Sequence, residues 1–68
     1  MTFVEPFCVH LQRLMEEHNL TQAQLARRMG VTRTCVHNWY WGINMPNLET
    51  LRTLRRVFQC SWEELLGE

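Results

Sequence analysis

The segment Leu20–Gly42, "LTQAQLARRMGVTRTCVHNWYWG", spells out two helices and the turn between them in its punctuation. Thr21 carries an N-cap hydroxyl, Gln24 is placed three residues on to reach back to its N–H, and Leu20 and Leu25 flank the pair as a hydrophobic staple. Gly30 sits where a left-handed residue would end that helix. Thr32 is the next N-cap candidate, with Val31 and Val36 as its staple, and Gly42 is the next stop. Stepping about 100° per residue, Thr32, Val36, Trp39 and Ile43 fall on one side of the second of these helices. Arg33, Thr34, His37, Asn38 and Trp41 occupy an arc of roughly 140° on the other. Trp39 is therefore expected in the core, and the polar residues form a face of their own.

The same grammar extends in both directions. "CSWEEL" repeats the cap and staple with Ser61, Glu64, Cys60 and Leu65, and Asn47 is a further N-cap candidate. Asn19 and Gly67 are placed as stops, Pro6 suits a first turn and Pro46 a connection. The expected helices span about 6–18, 22–29, 33–41, 48–58 and 62–66, each end to within about two residues. Apolar stripes give each an inward side: Phe7, Leu11 and Leu14, then Leu25 and Met29, then Leu51, Leu54 and Phe58, then Leu65. No period-two alternation occurs, so the expected class is all-α, with residues 1–68 as one compact five-helix domain. There is no repeat, linker or low-complexity segment.

Composition narrows the function. Sixty-eight residues can bury one modest core, and no apolar run approaches the roughly 20 residues of a membrane span. Glu5 stands where a secretory signal would carry base, so the expectation is a cytoplasmic chain without a membrane role. Cys8, Cys35 and Cys60 are an odd, widely spaced set that reads as free, largely buried thiols. Net charge is zero, yet residues 19–47 contain Arg27, Arg28 and Arg33 and no acid. A locally basic, acid-free stretch suits a surface that meets a polyanion. All seven bases are Arg, which favours planar, bidentate recognition. Cys8 and His10 splay to different faces of a helix, and no second pair follows at zinc spacing, so no metal is expected. No nucleophile–base pair, carboxylate dyad or glycine-rich phosphate loop is present, so neither an enzyme nor a cofactor is expected.

Taken in order, "LTQ" with Ala26 four residues after Gln22, "GVT", "W..G", "P.LETL" and "ELLG" make the chain resemble the lambda-repressor-like helix-turn-helix family, the Cro and Xre type. The resemblance covers about residues 11–66, with the helix-turn-helix at about 21–41. It implies a five-helix fold and a repressor-like, sequence-specific transcriptional regulator whose third helix lies in the major groove of double-stranded DNA. Carried onto this chain, Arg33 is placed to contact guanine, Asn38 adenine, and Thr34 a thymine methyl or a phosphate. Gln22 and Asn44 are phosphate candidates, and Thr32, His37 and Trp41 complete the expected interface. Ala26 has its own physical role, because helices joined by a tight turn need a small residue where they meet. By analogy a homodimer would form through the C-terminal helices around Phe58 and Trp62, with half-sites roughly 34 Å apart. No small-molecule ligand is expected, for lack of volume.

Two positions depart from the family pattern. Family members commonly pair an Arg of helix one with a Glu late in helix three. Met15 and Tyr40 occupy those places here, and a double replacement avoids leaving one charge buried alone. Met15 is expected to pack on the Tyr40 ring. Trp41 replaces a polar or basic residue beside the DNA backbone. Its indole could bond a phosphate or serve a protein contact, so an antitoxin-like or accessory protein-interaction module is the alternative function.

Overall fold

The computed structural model describes residues 6–67. Five helices follow one another: α1 (Phe7–Glu17), α2 (Gln22–Met29), α3 (Arg33–Tyr40), α4 (Leu48–Phe58) and α5 (Trp62–Leu66), with no strand among the described residues. The caps explain the starts. Thr21 Oγ1 accepts from Gln24 N at 3.1 Å, while Gln24 Oε1 accepts from Thr21 N at 2.9 Å, a complete capping box. Asn47 Oδ1 accepts from Thr50 N at 2.9 Å. Ser61 Oγ accepts from Glu64 N at 3.1 Å, and its hydroxyl donates to the Glu64 carboxylate at 3.4 Å.

Asn19, Gly30, Gly42 and Gly67 all adopt the left-handed conformation expected of stops, and Gln59 joins them at φ 51°. Gly67 is required twice over: at φ +78° a Cβ would also lie 2.7 Å from Nε2 of the buried His10 ring beneath it.

Two helix ends shift within the expected two residues, and two placements, those of Ile43 and Phe58, need correcting. α1 begins at Phe7, because Pro6 is extended at ψ 157° and serves as the N-cap residue. α3 ends at Tyr40, and the left-handed Gly42 swings the following chain off the helical spiral. Ile43 therefore does not continue the inner stripe of α3 and is 63% exposed. Phe58, placed by its stripe on the inward side of α4 and by analogy at a dimer surface, is buried in the core with its ring 5.2 Å from that of His18. Trp62 is half-buried, with the Arg55 guanidinium 5.2 Å over its ring.

The core takes one fully enclosed aliphatic residue from every helix: Leu11, Leu25, Val36, Leu54 and Leu65. Around them pack Leu14, Met15, Ala26, Trp39, Leu51 and Phe58. α2 lies closest against α3, α1 bridges α3 and α5, and α4 backs onto α2. Isolated helices of 5–11 residues are marginal in water, so this shared burial holds the elements in place. α3 is thus pressed from behind by α1 and α2, which leaves its outer face to solvent.

Cys8 and Cys35 are half-buried and Cys60 is buried. Burial pushes the Cys60 thiol above its ordinary range, and the neighbouring Glu64 carboxylate adds to the effect. A small thiol reagent at pH 8 is expected to label Cys8 and Cys35 quickly and Cys60 only as the protein unfolds. Peptide mass spectrometry over time checks this; equal rates at all three would mean the α4–α5 junction opens readily.

Candidate nucleic-acid interface

α3 begins with Thr32 as its N-cap, whose hydroxyl accepts from Cys35 N and touches Cys35 Sγ, both at 3.3 Å. Thr32 is exposed, but its oxygen is already committed to starting the helix. Arg33 and Thr34 are the first two helical residues and stand exposed, with His37 one turn on. Together with Gln22, the first residue of α2, these three side chains line one open hollow of about 230 Å³. Residues eleven or more apart in sequence are thereby gathered on a single face. Gln22 is half-buried there, at a helix N-terminus where free N–H groups favour an anion.

Asn38 is half-buried and lies at the edge of this face, its Oδ1 3.5 Å from Nδ1 of His37. Its backbone is busier than its side chain, since Asn38 O accepts from Ile43 N at 2.8 Å and closes the helix. Trp41 follows the last helical residue, 61% exposed, with its ring edge-on to Tyr40 at 5.0 Å. Asn44 is exposed and shares a separate hollow of about 210 Å³ with Phe7, Cys8, Trp39 and Met45. Gln22, Arg33, Thr34 and His37 thus form one group, Asn38 adjoins it, and Trp41 and Asn44 lie beyond the end of α3.

Met15 is buried and Tyr40 half-buried, and both border a hollow of about 320 Å³ that also includes Gln12 and Gln22. No convergent set of three or more His, Cys, Asp or Glu side chains occurs among the described residues. Sequence reasoning missed two features. Gln12 of α1 donates from Nε2 to Tyr40 O at 2.8 Å, across 28 residues. Ile43 and Met45 of the α3–α4 connection and Leu48, the first residue of α4, join Trp41 as large exposed apolar side chains. Ile43 and Met45 had one visible signal, their position between Gly42 and the start of α4, where no helical face could bury them.

The sequence profile of the helix-turn-helix family matches residues 11–65, and the chain belongs to that family. It is 41% identical over 57 residues to the HTH-type transcriptional activator BcrR of Enterococcus faecalis, covering 84% of this chain and 28% of that protein. It is 30% identical over 61 residues to the HTH-type transcriptional regulator YobD of Bacillus subtilis, covering 90% and 54%. The chain thus spans between about a quarter and a half of the length of these relatives. Among solved structures, a transcriptional regulator from Listeria innocua superposes with a TM-score of 0.85 at 32% identity, over 97% of this chain and 62% of that one.

The cap role of Thr32 is separable from any contact it makes. Thr32→Ala is expected to cost about 1 kcal/mol, lowering the thermal midpoint by about 4–8 °C in a domain this small. Thr32→Ser should restore most of it. Calorimetry of the three proteins decides; no loss in the Ala variant would show that the hydroxyl does not start α3.

Proposed function

We propose that this chain is the DNA-reading domain of a transcriptional regulator, with α3 lying in the major groove. The observation that carries it is the single exposed face uniting Gln22, Arg33, Thr34 and His37 on a family-matched helix-turn-helix. Arg33 at the first position of α3 reads guanine, and Thr34 beside it meets a thymine methyl or phosphate. Gln22 fixes the backbone through the N-terminus of α2. Asn38 reaches an adenine from the edge of the face, while His37, Thr32, Trp41 and Asn44 contribute flanking contacts. Arg27 and Arg28, exposed on α2, leave the surrounding field positive without a nearby acid in sequence.

One reading head serves repression and activation alike, depending on where the bound site lies relative to the promoter. We assign it a repressor-like role by occlusion; the relative BcrR carries the name of an activator. Two copies reading half-sites roughly 34 Å apart would meet through α5, where Trp62 and Leu66 remain half-buried. A body 38 Å long suits that spacing when two copies lie end to end. The regulator is assigned to the cytoplasm, where chromosomal DNA is reached; no helix among the described residues is long and apolar enough to cross a membrane.

A second reading rests on Trp41, Ile43, Met45 and Leu48, each more than half exposed. Neighbouring apolar side chains of this size are a protein-binding signal, which favours a module that docks on a protein partner.

Titrating a random duplex at two salt concentrations separates the readings. DNA binding should fall by about 0.9 log units per log unit of salt for each phosphate neutralised. Binding that ignores salt, or none at low salt, would remove the DNA reading. Selection from a randomised duplex pool should then yield a preferred sequence. Arg33→Ala should lose about 1–3 kcal/mol of discrimination at one base pair while retaining weak, salt-sensitive affinity.

A further inference from the structure

We infer that Gln12 is a positioning residue for DNA reading: its amide clamps the end of α3 and so fixes how the reading face is presented. An α-helix leaves its last four carbonyls without partners from within. In α3 all four are accounted for. His37 O accepts from Trp41 N at 3.0 Å, Asn38 O from Ile43 N at 2.8 Å, and Trp39 O from Gly42 N at 3.3 Å. The last, Tyr40 O, accepts from Gln12 Nε2 at 2.8 Å.

The first three bonds are local and move with the helix. The fourth ties it to a different element. Gln12 lies on α1 between Leu11, fully buried, and the buried pair Leu14 and Met15, so its backbone is held by the core. The side chain is half-buried and the bond partly shielded from water, which keeps it from exchanging freely for solvent.

The consequence falls on Arg33 and its neighbours. Seven residues separate Arg33 from Tyr40, about 10 Å along the helix axis. Val36 and Trp39 hold the inner side of α3 by packing, which is non-directional. The Gln12 bond adds direction at one end, so it limits rolling and sliding of the rod. Base contacts need donor and acceptor near 2.9 Å with good alignment, whereas phosphate contacts of long side chains tolerate play. Loss of the clamp should therefore reduce discrimination more than overall affinity.

This inference rests on the reading of α3 as the groove element, and its test separates the two. The probes are a duplex selected by the wild type from a randomised pool and an unrelated duplex of equal length. Gln12→Ala is expected to lower the ratio of selected to unrelated affinity by about threefold to tenfold, the worth of one net hydrogen bond. Affinity for the unrelated duplex should stay near wild type. Gln12→Glu sets a carboxylate against the carbonyl at pH 7.5, so its ratio should fall at least as far. At pH 4.5–5, near the ordinary Glu range of about 4.3, a growing fraction of the carboxyl can donate to Tyr40 O again. Relative to wild type at the same pH, the Glu variant should then recover and the Ala variant should not.

Amide exchange of the free proteins provides a readout without DNA: Gly42 and Ile43 N–H should lose protection in Gln12→Ala and regain it in acidified Gln12→Glu. If wild type selects no duplex, the groove reading fails while the exchange data still judge the clamp. Unchanged protection together with an unchanged affinity ratio in both variants would overturn the inference.

Discussion

α3 has eight residues, too few to persist as a helix in water, and it exists because Val36 and Trp39 are buried behind it. That burial is the constraint on which the rest of the structure depends. The same short rod that completes the core must also present Arg33, Thr34 and His37 outward. A helix can do both only when its two sets of side chains fall on opposite sides of a 3.6-residue spiral. The close seat of α2 follows, since Ala26 is small enough to let the two axes approach and is itself buried.

The ends of the rod matter as much as its sides. At the start, Thr32 gives its oxygen to Cys35 N, so the residue nearest the reading face is spent on helix initiation. At the finish, Gly42 turns left-handed and lets Ile43 N return to Asn38 O. The chain then continues to α4 with Trp41, Ile43, Met45 and Leu48 exposed.

Electrostatics are arranged by position rather than by total. Net charge is zero, but every acid lies before residue 18 or after residue 48. The middle of the chain, which builds both helices of the motif, carries only Arg. At ordinary salt the field of an exposed charge fades over about 8–10 Å, so a partner meeting this face responds mainly to nearby charges, Glu16 on the hollow beside Gln22 among them. A neutral chain can in this way still carry a basic stretch.

The sequence by itself determined most of the helix starts and stops, because caps, staples and left-handed stops act within five residues of one another. Thr21 with Gln24, Asn47 with Thr50, and Gly30 and Gly42 needed no knowledge of the fold. It also determined which side of α3 faces inward, since that depends on helical period alone. Only the tertiary structure decided what lies where the period breaks: Ile43, past a left-handed turn, is exposed rather than buried. It likewise decided the partner of Phe58: the inward stripe of α4 put that residue in the core, and the fold set its ring against His18. The bond from Gln12 to Tyr40 O spans 28 residues and uses a backbone acceptor, which no residue type advertises. Local bonds are written in the chain because their partners are neighbours; distant ones exist only once the core has brought α1 beside α3.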